Sequence, residues 1–254
     1  MTKICAAPGC GNEVSERAKT CSMACRVRWS RYHHRHNMEQ APPMLYVNPA
    51  EIITPRPLRQ SDVPDCVFPS ANEYGIPTLT LDMQAKWLDL PFVRWGGDLK
   101  RESKMKGTFN FFTDDRRFPF HKIAYQVINA GAKMAVEANF SIGSQTPLAR
   151  TLYQIYQKRW LSWYWSIYDI KIIVDMHVPT KFYSENLLGV PQGWQAYATR
   201  GKKEVGEVLA DYNAALAHAG TERLGLFVVY EGGAKVRELA QEFGWFYFDR
   251  EDKL

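Results

Sequence analysis

The chain has 254 residues, 46% of them apolar and 13% aromatic, which is enough for one sizeable packed domain beside a small appendage. No apolar run approaches the roughly 18 residues of a membrane helix, so the expectation is a soluble protein of the cytoplasm without a membrane span. The formal charge is +5, and residues 1–37 account for it with seven Lys or Arg against two Asp or Glu, which places any polyanion-binding role at that end of the chain.

Four cysteines, Cys5, Cys10, Cys21 and Cys25, follow the spacing C-x4-C-x10-C-x3-C. Structural zinc takes four thiolate or imidazole ligands in a tetrahedron, and two close pairs joined by a short loop supply them. The Pro8-Gly9-Cys10-Gly11 knuckle can turn tightly, and Cys21 to Cys25 spans about one helical turn. The expectation is a small treble-clef-like, four-cysteine zinc finger over residues 1–37, with Zn²⁺ as a structural ion. Two disulfides are the competing arrangement, disfavoured by a reducing interior and by the lack of a signal peptide before the cysteines. Beyond Cys25 the chain is basic. Arg28, Arg31 and Arg35, with Arg26 beside them, recur at helical intervals and form one stripe flanked by His33, His34 and His36. Such a stripe fits nucleic-acid phosphates, DNA ahead of RNA; its plainer readings are a solvated face or a grip on a protein partner.

Residues 38–76 are rich in proline from Pro42 to Pro69 and lack helical periodicity, as a linker or an extended wrap would. Cys66, alone in this stretch, reads as a small buried residue rather than a nucleophile. Residues 77–254 form the main domain. Short apolar runs at 90–95, 107–113, 133–139, 171–177, 195–199, 224–230 and 245–249 predict strands. Helices are predicted at 119–129, 147–168, 179–188, 203–219 and 234–243. Pro147 and Pro179 suit first helical turns, while Gly131, Gly189, Gly220 and Gly244 fall where helices should stop. The alternation predicts an α/β fold, either a mostly parallel β/α sheet or an irregular TIM-like β/α barrel, and seven strands favour the barrel.

In either architecture ligands bind beyond the carboxyl ends of the strands. Those ends carry Asp114, Glu137 and Asn139, Asp175 and His177, Arg200, and Glu231. The carboxylates suit a hard cation, Mg²⁺ or Mn²⁺, with His177 as acid or base and Arg200 against a phosphate. Gly232-Gly233 ahead of Ala234 and Lys235 would bring amides and a helix start to an anion. Taken singly, each has a plainer reading as a helix cap, a half-buried histidine or a turn. No P-loop, G-x-S-x-G or H-E-x-x-H motif occurs. The ring-rich segment 153–168 interleaves Lys158 and Arg159 with tryptophans and tyrosines. Base stacking is one use, but the helical spacing of its rings favours core packing. The basic run from Lys100 to Lys106 reads equally as a phosphate contact or a solvated loop.

Several stretches between residues 77 and 249 carry a resemblance: Met105-Lys-Gly-Thr, Phe111-Phe-Thr-Asp-Asp-Arg-Arg-Phe, Val136-Glu-Ala-Asn-Phe-Ser, Tyr156-Gln-Lys-Arg-Trp, Leu188-Gly-Val-Pro-Gln-Gly-Trp, Ala198-Thr-Arg-Gly and Val229-Tyr-Glu-Gly-Gly. They resemble an uncharacterised family of phage, prophage and mobile-element proteins, a domain of unknown function. The resemblance implies a bacterial host cytoplasm and no particular activity. Where that family carries Gly-Gly-Gly this chain has Glu231-Gly232-Gly233. The N-terminal segment resembles small fingers of the Cys-Ser-x-x-Cys-Arg type, which implies nucleic-acid binding. Two functions stay open. One is an enzyme that processes or modifies nucleic acid, by metal-assisted phosphodiester or base chemistry at the rim. The other is a non-catalytic DNA-binding regulator or replication accessory factor.

Overall fold

The computed structural model describes residues 2–6, 10–15, 21, 25, 56–96, 107–202 and 204–249. The chain divides into two compact units between Tyr46 and Val47. In the smaller unit, β1 (Thr2–Ile4) and β2 (Glu13–Ser15) pair antiparallel, with Lys3 opposite Val14. The Cys5 amide closes the turn between them on the Asn12 carbonyl at 2.8 Å. Its buried side chains, among the described residues, are only Cys5, Val14 and Cys25.

The larger unit is an α/β domain around a seven-stranded, wholly parallel sheet. Its strands are β3 (Phe92–Arg94), β4 (Thr108–Asn110), β5 (Met134–Val136), β6 (Lys171–Asp175), β7 (Ala196–Arg200), β8 (Leu226–Tyr230) and β9 (Phe246–Phe248), in sequence order across the sheet. The sheet curls until it is nearly a barrel: Phe92 on the first strand stacks on Phe248 of the last, with ring centroids 4.6 Å apart. Continuous apolar runs make this possible, because a strand covered on both faces needs no polar side. Ile172-Ile-Val and Leu226-Phe-Val-Val-Tyr are buried throughout.

The helices are α1 (Phe120–Asn129), α2 (Leu148–Ile167), α3 (Tyr183–Asn186), α4 (Val205–Ala219) and α5 (Ala234–Phe243). Pro119 and Pro147 precede α1 and α2, where a missing amide costs no helical bond. Gly220 and Gly244, at φ of 64° and 68°, end α4 and α5 in the left-handed conformation that glycine adopts without strain. The helix expected at 179–188 is instead a 3-10 turn, Thr180–Phe182, running into the single turn of α3.

Residues 78–91 cross the amino ends of the strands. The Gln84 side chain accepts the Gln195 amide at 2.8 Å, the Ala85 amide bonds Ile172 at 3.0 Å, and the Thr108 hydroxyl bonds Asp89 at 2.7 Å. Residues 56–76 lie against α1 and α2. Phe68 stacks on Trp163 at 4.5 Å, the Trp160 indole donates to the Cys66 carbonyl, and the Asn129 amide bonds both backbone groups of Leu58. Most rings of α2 are thus spent on packing, Trp165 included, which stacks on Phe111, while Tyr153 is exposed. Burial pushes the Cys66 thiol up to about 11, so it is no nucleophile near neutral pH. No described helix is long and apolar enough to cross a membrane.

Candidate functional site

The sulfurs of Cys5, Cys10, Cys21 and Cys25 all lie within 4.8 Å of one another. Cys10 and Cys21 are 3.6 Å apart, and Cys21 and Cys25 are 3.5 Å apart. A tetrahedron of thiolates at zinc distance has edges of about 3.8 Å, so the quartet can hold one metal ion and is compatible with structural zinc. Outer contacts aim the ligands: the Asn12 side chain and the Cys21 backbone amide donate to the sulfurs of Cys21 and Cys5. Crowding splits the acidities. The Asn12 amide and the neighbouring thiols pull Cys21 down to about 6. Cys10 is drawn down by the Asn12 backbone, yet its neighbours drive it up to about 11. Arg26, Arg28, Arg31 and Arg35 lie outside the described residues, as does the basic run from Lys100 to Lys106.

In the barrel, the carboxyl ends of the strands bring some of the expected residues together and commit others elsewhere. Glu137, fully buried after β5, turns its carboxylate to α2. There it pairs with Arg159, accepts the Ser162 hydroxyl at 3.0 Å and also takes the Asp175 amide at 3.2 Å. Arg159 also donates to the carbonyls of Asn186 and Leu188. Asp175, also fully buried, pairs with Lys158 at 2.9 Å, and the same ammonium reaches Asn186 at 2.9 Å. Burial would raise the Asp175 carboxyl, but the Lys158 charge and hydrogen bond overcome it and hold the group below the usual carboxylate range. Asn139 joins this set by donating to Asp175 at 2.8 Å. Asp114 stands apart and is exposed. It caps the short turn 115–117 and pairs with Arg116, which holds it down at about 2.

His177 lies next to this network, with its amide on the Asp175 carboxylate at 3.0 Å and its ring 6.0 Å from that of Phe112. Its Nδ1 is buried and has no partner. Burial pushes the imidazole down to about 4, with Lys202, Arg200 and Lys158 adding to the effect and Asp175 opposing it. It is therefore neutral at physiological pH. Arg200 sets two donors on one carboxylate oxygen of Glu231, at 2.8 and 3.0 Å. Glu231 itself adopts φ of 65°, and Gly232 and Gly233 follow at 113° and 80°. The turn packs so closely that a Cβ on Gly201 would lie 2.0 Å from the Glu231 carbonyl. Gly233 is the cap of α5, and Lys235 is exposed on that helix's first turn. Beside them Asp211, buried and raised by burial, accepts from Thr199 at 2.6 Å and Tyr183 at 2.5 Å and meets Lys202 at 3.2 Å.

Among the described residues, the one group of three or more His, Cys, Asp or Glu side chains close enough to share an ion is the cysteine quartet. Lys158, Arg159, Asn110, Asn186 and Asp211 are polar groups of this region that the sequence pattern did not single out as site residues. Two left a signal: Lys158 and Arg159 fall three and four residues after the buried Ile155, at core spacing, where a cation is tolerated only with a buried partner. No family model, curated protein or solved structure matches the chain.

Proposed function

We propose that this is a zinc-finger protein of a phage or other mobile element that binds nucleic acid, DNA ahead of RNA, and acts on it at the barrel rim. The observation that carries the reading is the cysteine quartet, spaced for one structural Zn²⁺ and followed by Arg26, Arg28, Arg31 and Arg35. Four cations within the ten residues that follow the last cysteine make a phosphate-binding footprint. At the rim, base chemistry is favoured over divalent-ion cleavage. His177 is a neutral acid–base group with a free ring nitrogen, and the partly exposed Arg200 can meet a phosphate. Cleavage with Mg²⁺ or Mn²⁺ would need Glu137 or Asp175 to leave Arg159 or Lys158. Gly232, Gly233 and Lys235 would receive an anion at the start of α5.

The same pairing supports the second reading, a non-catalytic regulator or replication accessory factor, because Asp114, Glu137, Asp175 and Glu231 all have basic partners. Labelled single- and double-stranded DNA and RNA, incubated with full-length protein with and without Mg²⁺, separate the two when binding and product gels are run together. The wild type should shift DNA, and the Arg28→Ala/Arg31→Ala variant should not. Products that vanish in His177→Gln support the enzyme, and a shift without products supports the regulator. No shift with any nucleic acid sinks both.

A further inference from the structure

We propose that a hollow at the amino ends of the last three strands, at the opposite end of the barrel from the rim, binds a small aromatic carboxylate. The hollow measures about 550 Å³, within the range of small-molecule sites, and its lining residues Gln195, Gly225 and Trp245 stand one position before β7, β8 and β9. Its walls are aromatic. Between ring centroids, Tyr212 of α4 lies 4.6 Å from Trp245 and 5.0 Å from Phe227, and Phe243 lies 4.9 Å from Trp245. Such walls suit a flat apolar ring. The polar groups point to the ligand's charge. Arg223 is exposed and lies over the bare Cα of Gly244, where an added Cβ would come within 3.6 Å of its Nη2. The Arg223 backbone is bonded to Thr221, but its guanidinium has no carboxylate partner among the described residues. Tyr212 is only 5% exposed and lines both this hollow and an adjoining one, yet its hydroxyl has no hydrogen-bond partner among the described residues. A hydroxyl so far withdrawn from water gains from an acceptor that a ligand supplies. Gln195 gives its side-chain oxygen to the Gly225 amide at 3.2 Å, which leaves its NH2 as a further donor. No Asp or Glu lines the hollow. A guanidinium, a hydroxyl and an amide donor beside aromatic walls match a ring that ends in a carboxylate, whose two oxygens the guanidinium fork meets as a pair. A neutral ring gains nothing from the Arg223 charge. Glu222 and Glu242 line the adjoining hollow, so a dianionic phosphate meets more repulsion there than a monoanion does.

The test is calorimetry on zinc-loaded full-length protein with indole-3-carboxylate and 4-hydroxybenzoate. Indole and phenol are the uncharged controls, acetate the ringless one and phenyl phosphate the dianionic one. At least one of the two acids should bind saturably, about tenfold or more tighter than its uncharged counterpart, acetate or phenyl phosphate. Arg223→Gln, at an exposed position whose loss the fold tolerates, should weaken that acid about tenfold. Tyr212→Phe keeps the ring and removes the hydroxyl, and should weaken it about threefold. The Trp245 indole ¹H–¹⁵N signal, assigned by its loss in Trp245→Phe, should move with the calorimetric midpoint, and His177→Gln should bind the acid as the wild type does. The inference is overturned by no saturable binding of either acid, by equal or tighter binding of the controls, by unchanged affinity in Arg223→Gln, or by a Trp245 signal that stays still at saturation. None of these outcomes depends on whether the rim acts on nucleic acid.

Discussion

The two units of this chain solve the problem of stability in opposite ways. Among its described residues the smaller unit buries Cys5, Val14 and Cys25, and its four cysteine sulfurs lie close enough to share an ion. The barrel buries dozens of side chains and even takes charges into its interior, where Arg159 meets Glu137 and Lys158 meets Asp175 with neither member exposed to water by more than 1%. A shared metal ion can stand in for a core in a small unit, whereas a large core can carry ionic pairs that contribute specificity or function more than stability.

The largest expected effect follows from that contrast. Removing zinc with a chelator, or making Cys21→Ser, should unfold the finger completely. The midpoint of barrel unfolding should stay where it was, followed by tryptophan fluorescence because seven of the eight tryptophans lie in the larger unit. A barrel that melts together with the finger would erase the contrast. Next in size, Arg159→Ala strands a buried carboxylate and should cost about 3–5 kcal/mol in urea unfolding, with zinc content unchanged. A loss below about 1 kcal/mol would mean that Glu137 escapes to water or takes up a proton cheaply.

The third prediction concerns pH. His177 is held down at about 4 in the folded chain against about 6.5 unfolded. Between those values the unfolded state binds the extra proton, so stability falls as pH drops from 6.5 toward 4, by roughly 3 kcal/mol in all. His177→Gln should flatten the curve in that window and leave it unchanged above about pH 7. A variant that keeps the wild-type slope would place the titration on another group. The smallest effect belongs to Asp114→Ala, which removes an exposed cap and an exposed ion pair and should leave the unfolding midpoint unchanged. Loss of activity in that variant with stability intact would instead make Asp114 part of the chemistry.

Much of this architecture was legible in the residues. Runs such as Ile172-Ile-Val and Leu226-Phe-Val-Val-Tyr announce strands covered on both faces, and Pro147 with Gly220 and Gly244 mark helix ends, because each of these acts locally. The cysteine spacing was equally plain. The commitments at the rim were not, because they depend on which side chains face each other across the fold. Glu137 and Asp175 look alike as strand-end carboxylates, and only the course of α2, 20 residues long and entered from Pro147, brings Arg159 to one and Lys158 to the other. The isolation of His177 Nδ1 and Asn110 Nδ2 is likewise a property of tertiary packing, which no spacing rule encodes.

Dependence of DNA binding on zinc can be read in a single titration: metal-free, reduced full-length protein is mixed with a fluorescent DNA duplex, and anisotropy is followed as zinc is added. If the cysteine quartet organises the basic segment for nucleic acid, anisotropy should rise with added zinc and saturate at one equivalent per chain, and Cys21→Ser should stay flat. DNA binding that is already complete before zinc is added, or no binding after one equivalent, would contradict it.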